Sequence, residues 1–176
     1  MNEDDLVRDT YAHFGLAVYW GQVLEHGIVN AMVVLQLSPR STFTRNDVDA
    51  FMDTQFKNTL GKLIRNLKAL TTIPVDLEDL LTRALKTRNW LCHDYFRERA
   101  VDFMNNDGRI KMIAELEECR ELLITADRCL TETIKPIAES YGLTEEQMQL
   151  AYAEFCRENG ISAEQSREPE HAIRRS

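Results

Sequence analysis

The sequence predicts an all-α protein, an antiparallel helical bundle of four long helices plus a short C-terminal helix. Apolar residues recur every three or four positions along most of the chain, which is the spacing of an amphipathic helix. No stretch shows the alternation of apolar and polar residues that is typical of a strand. Proline and glycine residues divide these long segments at a few points, and short connections between long helices favour antiparallel neighbours.

The first predicted helix covers about residues 4–37 and ends at residues 38–41, Ser-Pro-Arg-Ser. The second begins after Thr44, a candidate N-cap, and Asp47 supplies negative charge to its first turn. It ends at the break Thr71–Pro74. Its apolar side is formed by Val48, Phe51, Met52, Phe56, Leu60, Leu63, Ile64 and Leu67.

The third predicted helix runs over about residues 76–104 and ends at the turn-forming residues 105–108. The fourth covers about residues 109–140, and Pro136 is expected to bend it near its end. Residues 144–147, Thr-Glu-Glu-Gln, resemble a capping box that opens a short fifth helix. The apolar side of the fourth helix carries Ile113, Leu116, Leu123, Leu130, Ile134 and Ile137.

A chain of 176 residues is long enough to bury a core, so we expect one domain over residues 1–160 and a flexible polar tail over residues 161–176. No apolar run approaches the roughly 20 residues needed to cross a bilayer. The acidic start Met1–Asp5 is unlike a secretory signal. We therefore expect a cytoplasmic protein with no membrane partner.

The four cysteines are scattered and contain no Cys-x-x-Cys pair, and the four histidines show no metal-ligand spacing. Cys92 and Cys119 fall on apolar helical positions, so buried, reduced thiols are expected there. The chain also lacks a glycine-rich phosphate loop. The sequence thus predicts no metal site and no cofactor.

The net charge of −8 argues against indiscriminate nucleic-acid binding, but basic residues are concentrated in two stretches. Residues 57–68 hold four basic residues and no acid. Residues 83–99 hold five basic residues against Asp94 and Glu98. Each stretch is either a solvated helix face or a surface for a polyanion.

Arg88 lies where the third helix should be apolar. On a helix of about 100° per residue it falls near the centre of an apolar arc, with Asn89 and His93 together at the edge. A guanidinium cannot lose its charge on burial, so a dry site would require a carboxylate or a bound anion. The arc itself consists of Leu77, Leu81, Ala84, Leu85, Leu91, Cys92, Tyr95, Phe96 and Phe103.

Glu25 is a second charge inside an apolar arc, on the first helix. A buried carboxylate is costly unless it is paired, so we predict that Glu25 meets Arg88 across the bundle. The alternatives are an internal ion pair with no chemistry, or one side chain that extends to solvent. The arc around Glu25 consists of Phe14, Ala17, Val18, Leu24, Ile28, Met32 and Leu35.

An Arg followed by a polar residue, three further residues and a His, late in an all-α bundle, resembles the signature of the HEPN superfamily. Arg88, Asn89 and His93 match this pattern position by position. The resemblance covers about residues 4–140. It implies a metal-independent endoribonuclease whose homodimer brings two motifs to one cleft. Many such proteins are toxins of toxin–antitoxin or phage-defence systems, and others are inactive binding modules.

The resemblance also implies roles for the three motif residues. His93 would exchange a proton with the ribose 2′-hydroxyl or the leaving oxygen, leaving a cyclic phosphate end. Arg88 would clamp the phosphate in a bidentate manner. Asn89 would orient the imidazole or hydrogen-bond the phosphate.

If the substrate is RNA, a further group of residues is expected to contact it. Trp90 is predicted to point away from the apolar arc and to offer a platform for a base; a dimer contact or packing on the neighbouring segment are the alternatives. An antitoxin or a nucleotidyltransferase is a possible partner protein. The expected RNA contacts are Lys62, Arg65, Lys86, Trp90 and Arg97.

Three hypotheses follow from the sequence. The first is a dimeric HEPN-like ribonuclease. The second is a catalytically silent HEPN-like module that binds a nucleotide or a partner protein. The third is an unrelated helical interaction or regulatory protein in which Arg88 is structural. An open basic cleft around His93 would favour the first over the third.

Overall fold

The computed structural model describes residues 3–36, 44–158 and 160, and the regular secondary structure among them is entirely α-helical. The predicted all-α class is therefore confirmed for this part of the chain. The predicted stop at residues 38–41 and the predicted tail at residues 161–176 lie outside the described residues. The described residues divide into two compact units, one ending at Ile137 and the other beginning at Ala138.

The first unit is built on one long helix, α1 (Glu3–Gln36), which α2, α3 and α4 each contact. The later helices of this unit are shorter than α1 except for the last. They are α2 (Arg45–Gln55), α3 (Leu60–Leu70), α4 (Val75–His93), α5 (Tyr95–Glu98), α6 (Ala100–Phe103) and α7 (Asn106–Ser140), whose last residues belong to the second unit.

The core of the first unit is formed by one apolar stripe from each long helix. A fully buried side chain of this kind contributes about 1.5–3 kcal/mol, so the stripes supply most of the stabilisation. The predicted periodicity identified most of them. The innermost residues are Leu24, Ile28, Met32, Leu60, Leu63, Leu67, Leu81, Met112, Leu116, Leu123 and Leu130.

The second predicted helix is wrong as a continuous element, because it is broken between α2 and α3. The Asn58 side chain donates to the Thr54 carbonyl and to the Gln55 side chain, which offers an alternative to helical hydrogen bonds. Thr59 is extended and begins α3. The break changes the direction of the apolar stripe, so Phe56 is 38% exposed instead of buried.

The third predicted helix is also interrupted, at Asp94 and at Arg99, into α4, α5 and α6. Neither break contains a proline or glycine from which it could be predicted. Contacts with α7 accompany the breaks: the Tyr95 hydroxyl donates to the Met112 carbonyl at 3.2 Å, and Arg99 pairs with Glu115. Cys92 is exposed and not in the core as predicted, because the buried side of α4 carries Leu77, Leu81, Ala84 and Leu91 and Cys92 lies about 100° beyond Leu91.

Arg109 anchors the turn between α6 and α7 to the start of α1. Its side chain is only 8% exposed. Nε donates to the Phe103 carbonyl at 2.9 Å, and Nη1 donates to Asn106 at 2.8 Å and to Glu3 at 3.3 Å. The buried cation is thus well partnered, as burial of a guanidinium requires. Gly108, beside it, lies directly against the Asp102 backbone.

The predicted helix starts at Thr44 and Thr144 are both present. Thr44 and Asp47 form a complete capping box, and the bonds from Thr44 lower the pKa of Asp47. In the second unit, α8 (Glu145–Glu158) follows Thr144, whose hydroxyl accepts from the Gln147 backbone N–H at 3.3 Å. Gly142, with φ of +81°, forms the turn before it.

Among the described residues, no helix combines the length and the apolar character required to span a bilayer. The second and third predicted helices differ from the observed ones only where side chains or tertiary contacts interrupt the backbone pattern.

Candidate functional site

Arg88 lies in the seam between α4 and α1, where Gly21 leaves room for it. A Cβ at position 21 would stand 3.1 Å from the Arg88 Cγ, so the aliphatic stem passes directly over the α1 backbone. One turn further along α1, Glu25 Oε1 lies 2.7 Å from Arg88 Nη2. The two charges that interrupt the apolar arcs of the sequence therefore form an ion pair across the seam.

The ion pair is partly open to solvent. The Arg88 and Glu25 side chains are 26% and 20% exposed. Glu25 Oε1 is itself buried and has no well-aligned hydrogen-bond donor, despite its short distance to Arg88 Nη2. The contact is thus a charge–charge attraction whose angles do not meet those of a hydrogen bond. Arg88 Nη1 also donates to Asn89 Oδ1 at 3.4 Å, so the guanidinium retains further N–H groups for a ligand.

Asn89 and His93 are exposed on successive turns at the C-terminal end of α4. His93 is the last residue of the helix, immediately before the break at Asp94. Because its side chain is exposed, a ligand from solvent can reach the imidazole ring. Arg88, Asn89 and His93 thus lie on one stretch of helix, with Arg88 at the seam and the other two facing solvent.

Trp90 does not point away from the apolar side as predicted. Its ring is half-buried, packs against the core, and meets Tyr95 edge-on at a centroid distance of 4.8 Å. The indole N–H donates to Glu98 Oε2 at 2.8 Å, and the Arg99 guanidinium covers the ring at 5.1 Å. The alternative of packing on the neighbouring segment is the arrangement observed.

A cluster after His93 was not predicted from the sequence. Arg99 donates to both Glu115 carboxylate oxygens, at 2.8 and 2.6 Å, and also lies over Trp90. These contacts, with Tyr95, hold α5 and α6 against α7. The bidentate pairing raises the pKa of Arg99 further above its usual value. The sequence contains the two opposite charges, Arg99 and Glu115, 16 residues apart. Their pairing could be predicted only if the helix break that brings them together were known.

Two ionisable groups beside this cluster are held neutral. Burial, reinforced by the Glu115 charge, raises the pKa of the Tyr95 hydroxyl above its ordinary value. Burial also raises the pKa of Cys119 to about 11. Cys119 is therefore a protonated, unreactive thiol at neutral pH, which agrees with the buried, reduced state predicted for it.

The predicted RNA-contact cations are all exposed, and three of them are unpaired among the described residues. Gly61 of α3 packs on Leu85 of α4, with the Leu85 Cδ2 3.4 Å from the position of a Cβ, and this contact brings the two basic helices side by side. Arg97 differs, because its Nη2 lies 2.5 Å from Asp94 Oδ1. The three unpaired cations are Lys62 and Arg65 on α3 and Lys86 on α4.

Within residues 3–36, 44–158 and 160, no group of three or more His, Cys, Asp or Glu side chains is close enough together to hold a metal ion. All four cysteines are free. The charged pair observed at the site is Arg88–Glu25, while Lys62, Arg65 and Lys86 are exposed on α3 and α4.

Glu25→Ala is expected to lower the free energy of unfolding by about 1–2 kcal/mol, because Arg88 would remain in the seam without its carboxylate. The partial exposure of both side chains keeps this below the ~3–5 kcal/mol of a dry pair. Urea unfolding measures the change. Glu121→Ala is the matched control, since Glu121 is 63% exposed beside Arg120 and its loss should change stability by no more than about 0.5 kcal/mol. Equal effects of the two substitutions would contradict the assignment.

Comparison of the chain with family models, with curated proteins and with solved structures finds no match. The residues at the end of α4 and their surroundings are therefore the basis for inferring a function.

Proposed function

We propose that this protein is a metal-independent endoribonuclease of the HEPN type. The observation that supports this most directly is the placement of Arg88. Glu25 and Gly21 hold the guanidinium at the α1–α4 seam, while Asn89 and His93 are open to solvent on the same helix. An ion pair with no other role would not require an exposed polar residue and an exposed imidazole beside it.

In the proposed reaction the ribose 2′-oxygen attacks the neighbouring phosphorus, and the bond from phosphorus to the 5′-oxygen breaks. One His93 imidazole takes the 2′-hydroxyl proton, and a protonated imidazole gives a proton to the 5′-oxygen. The products are a cyclic 2′,3′-phosphate and a 5′-hydroxyl. Arg88 stabilises the negative charge on the phosphate oxygens in the transition state, and Asn89 orients the imidazole or the phosphate.

Because each chain offers one His93, the proposal includes a homodimer in which a second copy supplies the other proton-transfer group. It also includes antiparallel packing of the helices over residues 4–140 and a cytoplasmic location. An antitoxin or a nucleotidyltransferase is proposed as the partner protein.

Lys62, Arg65 and Lys86 are proposed to bind the RNA backbone, because they are exposed, unpaired among the described residues and carried by helices that contact each other. Trp90 and Arg97 were predicted to contact RNA as well. Each would first have to leave an intramolecular partner, Glu98 for Trp90 and Asp94 for Arg97. We therefore give the first three residues the larger share of binding.

One observation favours the alternative, a catalytically silent HEPN-like module that binds a nucleotide or a partner protein. Glu25 already occupies part of the Arg88 guanidinium, and its carboxylate would compete with a phosphate for the same N–H groups. In this case the site would bind an anion without cleaving RNA.

The experiment that separates these functions is cleavage of structured and unstructured RNA by the pure protein in EDTA. The wild type is expected to cleave and to leave cyclic phosphate ends, and His93→Ala is expected to be inactive because it removes the imidazole that transfers the proton. Cys92→Ala, an exposed neighbour at one of the three unspecified positions of the motif, is the matched control and should cleave normally. If the wild type and His93→Ala leave all RNAs equally intact across pH, the ribonuclease proposal is wrong and the binding module replaces it.

A further inference from the structure

We propose that an exposed aromatic pair, His26 and Phe56, is a base-stacking subsite for single-stranded RNA next to Arg88. The inference rests on the proposed function, since it names the form of RNA that the site takes. It also supplies the aromatic platform that Trp90, held by Glu98 and Arg99, does not offer freely.

The two rings form one surface feature. The His26 ring on α1 and the Phe56 ring at the end of α2 have centroids 4.4 Å apart and an interplanar angle of 41°. Both residues are exposed, Phe56 to 38%. A base can therefore stack on the outer side of this pair, and every base has the π-face that such stacking requires.

The turn that carries Phe56 is held in place before any ligand arrives. The Phe56 backbone N–H donates to the Met52 carbonyl at 2.9 Å. Gln55 Oε1 accepts from the side-chain amides of Asn58 at 3.2 Å and Asn66 at 3.1 Å. The ring is thus presented by an ordered turn, which reduces the entropy lost when a base binds.

The pair lies beside the candidate catalytic residues. His26 directly follows Glu25, whose Oε1 is 2.7 Å from Arg88 Nη2. Phe56 and Arg88 therefore contact adjacent residues of the same turn of α1. A phosphate at Arg88 and a base on the rings would thus meet α1 at successive residues, about 100° apart around the helix axis.

The residues that follow Phe56 in the chain are basic, which favours binding of a polyanion on that side. Lys57 follows it directly and is exposed without a partner among the described residues, and Lys62 and Arg65 continue the basic stretch on α3. The exposed acids of α2, Asp47, Asp49 and Asp53, oppose this stretch, and Asp53 lies one turn before Phe56. Cations along the backbone with an aromatic platform between them are the arrangement used to bind single strands, whereas bases in a duplex are stacked already and cannot use it.

The test compares two short 2′-O-methyl RNA oligonucleotides, which cannot be cleaved, in a fluorescence-anisotropy titration of the full-length protein. One carries bases and the other has the same backbone with abasic positions. The wild type should bind the first about tenfold more tightly than the second, a ratio in the range that stacking of one base supplies. Phe56→Leu should reduce the ratio to near one while leaving abasic binding unchanged, and Phe56→Trp should retain it. The emission of the indole introduced by Phe56→Trp should be quenched only by the oligonucleotide that carries bases.

Tyr141→Leu is the matched control, because Tyr141 is exposed to a similar extent, 37%, and should keep the wild-type ratio. A ratio near one in the wild type, or a ratio unchanged in Phe56→Leu, would overturn the subsite even if His93-dependent cleavage is observed. Conversely, a Phe56-dependent ratio in a protein that cleaves no RNA would retain the subsite and remove only the nuclease. Failure to bind either oligonucleotide would overturn the subsite as well.

Discussion

Arg88→Lys is expected to reduce the rate of RNA cleavage by about a hundredfold or more while the protein remains folded. Lysine retains the positive charge, so the attraction to Glu25 persists and the seam is not left with an unpaired carboxylate. It cannot present two parallel N–H groups to a phosphate, and the charge that grows on the phosphate oxygens loses its bidentate clamp. The substitution thus tests the planar geometry of the guanidinium while the positive charge is retained.

Single-turnover cleavage in EDTA measures this loss, and thermal unfolding verifies that the fold is retained. Arg83→Lys is the matched control, because Arg83 is exposed on the same helix outside the motif. Its rate should stay within about twofold of the wild type, since Arg83 has no proposed contact with the reacting phosphate and lysine retains its charge. Cleavage by Arg88→Lys at nearly the wild-type rate would contradict a phosphate clamp.

Gly108→Ala is expected to lower the free energy of unfolding by about 2–3 kcal/mol. A Cβ at this position would stand only 2.6 Å from the Asp102 carbonyl carbon and would also meet its oxygen and Cα. These are backbone atoms, which cannot rotate away as the end of a side chain can. The strain would separate α6 from α7, whereas the gain in helix propensity from alanine is at most about 1 kcal/mol.

Urea unfolding followed by circular dichroism provides the measurement. Gly15→Ala is the matched control, because Gly15 lies within α1 and a Cβ there meets nothing within 4 Å. Alanine at position 15 should stabilise the protein by up to about 1 kcal/mol, so the two substitutions are expected to act with opposite sign. Equal stability of Gly108→Ala and the wild type would show that the α6–α7 turn is not closely packed.

The all-α class and the core stripes could be predicted because apolar periodicity is a local property of the chain. The helix ends that depend on local chemistry, such as the Thr44 capping box, were predictable for the same reason. The breaks at Asp94 and Arg99 were not, because they contain no proline or glycine and coincide with contacts to residues of α7. The break at Asn58 depends on a side chain that competes with the backbone, which periodicity does not report.

The candidate site likewise contains contacts that the sequence predicts and contacts that it does not. Glu25 and Arg88 could be matched because each interrupts an apolar arc. The free-energy cost of burying an unpaired charge can be inferred for each helix separately. The orientation of Trp90 could not be predicted, since its partner Glu98 comes into reach only after the helix breaks. The stacking of His26 on Phe56 likewise requires the turn between α2 and α3, which the apolar pattern of the second predicted helix concealed.

The division of residues 95–103 into two single-turn helices has a consequence for native-state fluctuations. An isolated helix of four residues is unstable in water, because nucleation costs more free energy than so few hydrogen bonds return. The helices α5 and α6 are therefore ordered by their contacts with α7. Loss of the Arg99–Glu115 pair would remove a principal restraint on both turns and on the Trp90 ring at once. We therefore expect this segment to open and close as one cooperative unit, and its opening frees the C-terminal end of α4, which carries His93, from the helices behind it.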